Sequence, residues 1–312
     1  MSEFSEMRVS LQVIAFNVDP WINIMLNNAA CFVDKIYIAY PPRPWGYSLK
    51  ARNSIVNSTK LEDIQVSGLP CKVEIVKGDW LDEEETRNCL LNKAREEDYD
   101  WMIIQDADEF YTSASWNRLL ERLSSLRDYE AAVTPWYNFW KSPEYVIENR
   151  GSGIKCLNAG FAIKAKDSTC QFRSARKVDA KKFVCIDEPC YHYGYVMNSV
   201  AMQRKLMSFA HTNDIKNIAL WYELKWLRWS EETRYLHPSS PAHWTKAIRF
   251  PLEQPDFADQ IFNAFESYQT FEKGLIWKIR DHIWNCEAEI KWQEKKLRRL
   301  SRVSLNNLLS KS

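Results

Sequence analysis

The chain has 312 residues and a formal net charge of +1, so no global field draws it to nucleic acid or to a membrane surface. With 46% hydrophobic residues and only 8 glycines, it reads as one large globular domain or a domain with an appendage, not a linker-rich or collagen-like chain. The 14 tryptophans predict large aromatic-lined surfaces, and the 8 cysteines lack the paired spacing of a zinc site, as reduced cytosolic thiols would. Met1 to Arg8 has no signal-peptide pattern, and no apolar run approaches the roughly 20 residues of a membrane span. A cytoplasmic location is the expectation.

In chain order, Val9 to Val18 is an apolar run of strand length. Pro20 then opens a helix over Trp21 to Phe32. Lys35 to Tyr40 is a second strand, after which Pro41, Pro42 and Pro44 break regular structure. Lys60 to Val66 suggests a short helix ended by Gly68 and Pro70, and Lys72 to Lys77 is a third strand leading into Gly78-Asp79-Trp80. Asp82 with Glu85 three residues on forms a capping-box pattern for a helix reaching about Glu97. Asp100 to Gln105 is the fourth strand. This alternation predicts an α/β fold with a mostly parallel sheet flanked by helices. Ligands of such sheets gather at the carboxyl ends of the strands, where Asp79, Asp106 and Asp108 fall.

From Ala131 to Tyr193 short strand-like pieces alternate with turns, with Gly151-Ser152-Gly153 as a hairpin connection. From Ser199 onward the chain reads as helical, divided by Pro238, Pro241, Pro251 and Pro255. In the last long helix Ile276, Ile279, Ile283, Cys286 and Ile290 mark one apolar face. The expected division is residues 1–197 as the ligand-binding α/β region and 198–312 as a helical region.

Asp106-Ala107-Asp108-Glu109 gathers three carboxylates at the end of an apolar strand. Such a cluster repels itself unless a cation is shared, and its hard oxygens suit Mg²⁺ or Mn²⁺. Spacing alone equally fits a solvated acidic turn. Asp79 either binds a nucleobase or ribose or caps a turn. Arg87 either reaches a phosphate or pairs with Glu83 or Glu84 on its own helix. Lys50 and Arg52 either reach a diphosphate or belong to a solvated loop. Arg173, Arg176 and Lys177 could close over a nucleotide, and Lys205 and His211 are candidates of second rank. Trp221, Trp226, Trp229 and Trp244 either stack on rings or build core. The basic run Lys295 to Arg299 either binds phosphates or is a solvated helix face.

Three segments carry a family resemblance. Trp101 to Phe110 resembles the D-x-D-E strand end of glycosyltransferases of the GT-A fold, in the broad family-two-like group. Trp80 to Asn88 resembles the helix before that strand, and Tyr191 to Val196 resembles a later His-Tyr-Gly-Tyr segment of several bacterial and viral members. The resemblance spans about Arg8 to Lys205. It implies a GT-A-like fold whose helical region, 198–312, completes the acceptor side. It also implies Mn²⁺ or Mg²⁺ and a nucleoside-diphosphate sugar, UDP-sugar foremost, as donor. The acceptor hydroxyl would belong to a glycan, lipid, protein or hydroxymethylated DNA base.

By that resemblance Asp106 contacts ribose or metal, Asp108 is the main metal ligand and His192 a further one, unless His192 is simply packed among tyrosines. Glu109 orients them or lies near the acceptor. Asp187 and Glu188 are the best-positioned general bases by sequence, and Asp179 is the next. Where many members carry an acidic residue after the second strand, this chain has Ile38-Ala39-Tyr40-Pro41-Pro42. Two other readings use the same residues: a metal-dependent nucleotidyltransferase or phosphohydrolase, and a non-catalytic binding module.

Overall fold

The computed structural model describes residues 7–19, 21–156, 159–208, 214–215, 217–264 and 270–309, with side chains up to residue 298. Pro20 and His211 lie outside the described residues, as does the side chain of Arg299. The first half runs β1 (Val9–Ile14), α1 (Trp21–Ala29), β2 (Lys35–Tyr40), α2 (Leu49–Ser54), β3 (Lys72–Lys77), α3 (Glu83–Glu96), β4 (Trp101–Ile104), β5 (Glu109–Phe110) and α4 (Ser113–Ser124). Then follow β6 (Ala131–Thr134), β7 (Trp136–Trp140), β8 (Ser142–Asn149), β9 (Ala159–Lys164), β10 (Phe172–Ser174), β11 (Lys177–Val178), β12 (Phe183–Cys185) and β13 (Cys190–Tyr195). The last part has α5 (Ser199–Ser208), α6 (Ile218–Trp221) continued by a π-helical segment, β14 (Trp244–Arg249), α7 (Ala258–Ala264) and α8 (Leu275–Leu309). Among the described residues no helix is long and apolar enough to cross a membrane.

The central sheet has seven strands in the order β12-β6-β9-β4-β1-β2-β3. Strands β3, β2, β1 and β4 are mutually parallel, and β9 runs antiparallel between β4 and β6. Period-two alternation sorts its side chains. Leu11, Val13, Ile36, Ile38, Trp101 and Ile103 share a core with α1 and α4, whereas Tyr37, Ala39, Met102 and Ile104 share one with α3. The mostly parallel sheet flanked by helices expected from the sequence is therefore present. Because β2 and β4 lie on either side of β1, the connections diverge there and leave a crevice at the carboxyl ends of β1 and β4.

A second sheet, β14-β8-β7-β13-β5, leans on the first through β5, which follows β4 after a turn of four residues. The Asp82 cap is formed, accepting from the amide of Glu85 at 2.7 Å, while the Glu85 carboxylate reaches back to the amide of Leu81 at 2.8 Å. The segment read as a helix over Lys60 to Val66 is only a 3-10 turn at Leu61–Asp63. Helices α2 and α4 stand where the sequence analysis assigned none, each started by a hydroxyl cap, Ser48 and Thr112. The region after Ser199 is not wholly helical: Trp244–Arg249 pairs antiparallel with β8, its strand form imposed by that edge. The aromatic core made by Trp140, Tyr195, Trp221, Trp226 and Trp244 spans both sides of residue 197. Trp221, Trp226, Trp229 and Trp244 are thus core residues.

Helix α8 is fastened by a buried charge cluster. Lys225 Nζ, fully buried, donates to Asp281 Oδ1 at 2.5 Å, to Asn285 Oδ1 at 2.7 Å and to the Arg234 carbonyl at 2.7 Å. Lys273 Nζ donates to the other Asp281 oxygen at 2.9 Å. Removing one member of such a cluster leaves uncompensated charge in the interior. Asp281→Ala is expected to lower stability by roughly 3–5 kcal/mol in denaturant unfolding, whereas Lys225→Met with Asp281→Leu should cost clearly less than that single change.

Candidate active site

The acidic segment is folded by its own turn. Gln105 Nε2 donates to the Glu109 carbonyl at 2.7 Å, and the Glu109 amide donates to the Asp106 carbonyl at 3.1 Å. Strand β5 then pairs antiparallel with β13, Glu109 opposite His192, and β13 pairs parallel with β7, His192 opposite Asn138. Residues 138, 192 and 109 thereby stand side by side across three strands. The Tyr193 amide donates to the Asp108 carbonyl at 2.8 Å, which ties the acidic turn to the same strand.

His192 Nδ1 lies 2.6 Å from Asn138 Oδ1. An amide oxygen only accepts, so Nδ1 carries the proton and Nε2 presents its lone pair. Nε2 faces Asp108 Oδ1 at 3.6 Å. Burial pushes the imidazole down to about 4, which keeps it neutral. Lys205 Nζ donates to the Gly194 carbonyl at 2.6 Å and lies 3.7 Å from Asp108 Oδ2. A Cβ at Gly194 would sit 2.5 Å from His192 Nε2 and 3.0 Å from Asp108 Oδ2. The missing side chain is therefore what leaves space between carboxylate and imidazole.

Asp108, Glu109 and His192 offer ligand atoms within 4.8 Å of one another. Glu109, however, is 1% exposed and bound twice by Arg176, at 2.5 Å and 2.8 Å. Burial pushes its carboxyl up, and the two short bonds from that guanidinium oppose the push and hold the carboxylate as the partner of an ion pair. Arg176 also donates to the Ile104 carbonyl at 2.7 Å. Asp106 takes a hydrogen bond from Arg87 Nη2 at 2.9 Å. Partial desolvation in the cavity wall opposes it, yet Arg87 and Arg176 hold the Asp106 carboxyl well below the usual carboxylate range. Arg87 also binds Glu83, Nε to Oε1 at 2.8 Å, so the partner on its own helix is Glu83 rather than Glu84. The two-atom set best suited to a cation is Asp108 with His192, while Asp106 and Glu109 are each engaged by an arginine.

These groups border a cavity of about 1140 Å³. One set of lining residues, Asn17, Asp19, Arg43 and Trp45, follows β1 and β2. A second set is Arg87, Asp106, Asp108, Arg176, His192 and Lys205. A third, Arg150, Ser152, His237, His243, Trp244 and Trp292, comes from the Gly151 turn, β14 with its approach, and α8. Gly151 and Gly153 both have positive φ, 85° and 64°, as the tight turn requires.

Other residues singled out by sequence do not line this cavity. Asp79 is clamped between Arg43 and Arg52, the latter at 2.8 Å. Arg52 is 7% exposed and also donates to the carbonyls of Pro44 and Trp80, so it braces the loop after β2 instead of facing a ligand. Asp187 pairs with exposed Lys155 at 2.6 Å, Glu188 with Arg118 at 2.5 Å, and Asp179 with Arg173 at 2.6 Å. All three carboxylates lie on loops and hairpin edges outside the lining, where surface arginines and lysines neutralise them. Lys50 and Lys177 are exposed and also outside it.

Sequence reasoning missed Asn17 and Asp19, although the carboxyl end of β1 is where the logic that found Asp106 points. Asn138 carried no sequence signal, because its role depends on the β7–β13 register.

No family profile matches the chain, and no curated protein matches it. Among solved structures, S. aureus TarS 1-349 is similar at 12% identity, covering 67% of this chain and 69% of that one with a TM-score of 0.40. A protein assigned as a nucleotide-diphospho-sugar transferase from Desulfovibrio desulfuricans G20 shows 12% identity, 66% and 90% coverage and a TM-score of 0.38. The 4-diphosphocytidyl-2C-methyl-D-erythritol synthase of Anaerococcus prevotii DSM 20548 shows 14% identity, 51% and 70% coverage and a TM-score of 0.31. At these scores the likenesses carry no functional argument, which rests on the site itself.

The Arg176–Glu109 pair gives a direct test of how the site is held. Arg176→Ala leaves Glu109 buried beside Asp106 and Asp108 and is expected to cost roughly 3–5 kcal/mol in urea unfolding. Glu109→Gln combined with Arg176→Met should recover part of that loss.

Proposed function

We propose that this protein is a metal-dependent glycosyltransferase of GT-A-like design, moving a sugar from a nucleoside-diphosphate sugar to an acceptor hydroxyl. The observation that carries the reading is the facing pair Asp108 and His192, separated by space that only glycine at 194 leaves open, in the wall of the large cavity. A carboxylate oxygen and a neutral, tautomer-fixed imidazole fit Mn²⁺ well and accept Mg²⁺. These two residues would hold the ion. When bound, it would neutralise the diphosphate oxygens and stabilise the departing nucleoside diphosphate.

The chain's own groups divide the remaining work. Lys205, 3.7 Å from Asp108, supplies fixed positive charge for the diphosphate. Arg87 keeps Asp106 ionised, and that carboxylate retains 37% exposure, enough to accept from a ribose hydroxyl. Asn17, Asp19 and Arg43, beyond β1 and β2, suit the nucleoside; a UDP-sugar is the first donor to test. Trp292, in the cavity wall, offers an aromatic face to an acceptor ring. His237 Nδ1 accepts from the Ser240 amide at 2.9 Å, so its proton sits on Nε2 and it orients rather than deprotonates. Burial, Lys295 and Arg150 push His243 down, which keeps it neutral and able to take the acceptor's proton.

The test is a thermal-shift screen of nucleotide sugars with Mn²⁺ or Mg²⁺, followed by turnover with the best donor. A donor at a hundred times its Kd stabilises by about 2.7 kcal/mol. Asp108→Ala should abolish metal-dependent release of nucleoside diphosphate while leaving circular dichroism unchanged. Turnover near wild type in that variant would refute the metal assignment, and release of pyrophosphate from a nucleoside triphosphate would favour a nucleotidyltransferase instead. Gly194→Ala, which fills the space between the two ligands, is expected to weaken Mn²⁺ binding at least tenfold by electron paramagnetic resonance titration, corresponding to about 1.4 kcal/mol.

A further inference from the structure

Helix α8 docks by the face opposite its apolar stripe. Asp281 and Ala288 are buried against the body, and Glu289 is held by Arg150 at 2.6 Å. The other side presents Ile276, Ile279, Ile283 and Ile290, exposed to 66%, 53%, 53% and 59%. A row of large aliphatic side chains facing water marks an interaction surface. Its spacing says what kind. Ile276, Ile283, Ile290 and Leu297 recur every seven residues, and Ile279, Cys286 and Gln293 each follow by three. That is a heptad with both seam positions on the exposed side, the pattern by which one helix tracks another. A membrane surface imposes no such seven-residue period.

We propose that α8 pairs antiparallel with α8 of a second copy of this chain. The charges flanking the seam select the orientation. One edge carries Arg280, Glu287 and Glu294, basic at its beginning and acidic toward its end. An antiparallel two-fold pair sets this edge against its own reversed copy, so Arg280 meets the acidic end of the partner's edge. A parallel pair would set Glu289 beside Glu294 of the partner subunit, two like charges across the seam. The two globular bodies stand outside the pair, because each grips its own α8 from the opposite face through Asp281 and Glu289. Gln293, polar within the seam, suits the role of fixing register at some cost in stability. The same helix contributes Trp292 to the active-site cavity, so pairing would also steady that wall.

Light scattering of the full chain at micromolar concentration is expected to give twice the chain mass of 36.8 kDa. Ile283→Glu with Ile290→Glu should give the monomer, with far-ultraviolet circular dichroism unchanged because both positions are exposed. For orientation, Cys31→Ser and Cys185→Ser first remove two other exposed thiols. Ile283→Cys or Ile290→Cys should then yield a covalent dimer on mild oxidation, through Cys286 of the partner subunit, and Cys286→Ser should abolish it. A covalent dimer that survives Cys286→Ser indicates a parallel pair and overturns the orientation. A wild-type chain that stays monomeric, or a dimer untouched by the two glutamates, overturns the proposal. So does flotation of a monomeric chain with anionic vesicles that those glutamates abolish.

Discussion

The site depends on one short piece of strand pairing. Strand β5 is only Glu109–Phe110, yet its pairing with β13 brings the end of the parallel sheet against a segment eighty residues later. Without it, Asp108 and His192 have no reason to meet. The pairing is secured on the buried side by Glu109 and Arg176, an arginine that also holds the carbonyl of Ile104 at the end of β4. One guanidinium thus fastens the turn at both its entrance and its exit.

That arrangement resolves the repulsion of three clustered carboxylates by giving each a different partner. Asp106 is paired with Arg87, whose position on α3 follows from the Asp82 cap and the pair with Glu83. Glu109 is paired with Arg176. Asp108 faces a neutral imidazole and, at longer range, Lys205. Two of the charges are compensated inside the protein, and the third is directed to a space bounded by Gly194. A fixed geometry of this kind suits a bound cation better than a flexible acidic loop would, because the cost of assembling the charges has been met during folding.

The second sheet and the C-terminal elements form the other walls of the cavity. The aromatic core around Trp140 and Trp226 fixes β13 and β14, and through Arg150 and Glu289 it fixes α8 relative to the Gly151 turn. The tryptophans that sequence left open between stacking and packing therefore act by packing. The orientation of α8 is set by buried charge, which outweighs the tendency of its isoleucines to turn inward: Asp281 and Lys225 cannot face each other unless the stripe faces out.

Much of the parallel half of the fold was legible in the chain, because its signals are local. Strands at Lys35–Tyr40 and Lys72–Lys77 and the capped helix after Asp82 arise from period, propensity and capping within a few residues. The acidic turn at the carboxyl edge was legible for the same reason. What sequence could not decide is anything set by register or by distant charge: Asn138 beside His192, Arg176 on Glu109, Arg52 on Asp79 rather than on a ligand, and the general-base candidates Asp187, Glu188 and Asp179 turned to surface cations. Nor could an apolar stripe reveal which way α8 faces. Periodicity reports that a helix has two faces, but only the tertiary partners of Asp281 and Glu289 determine which of them the body covers.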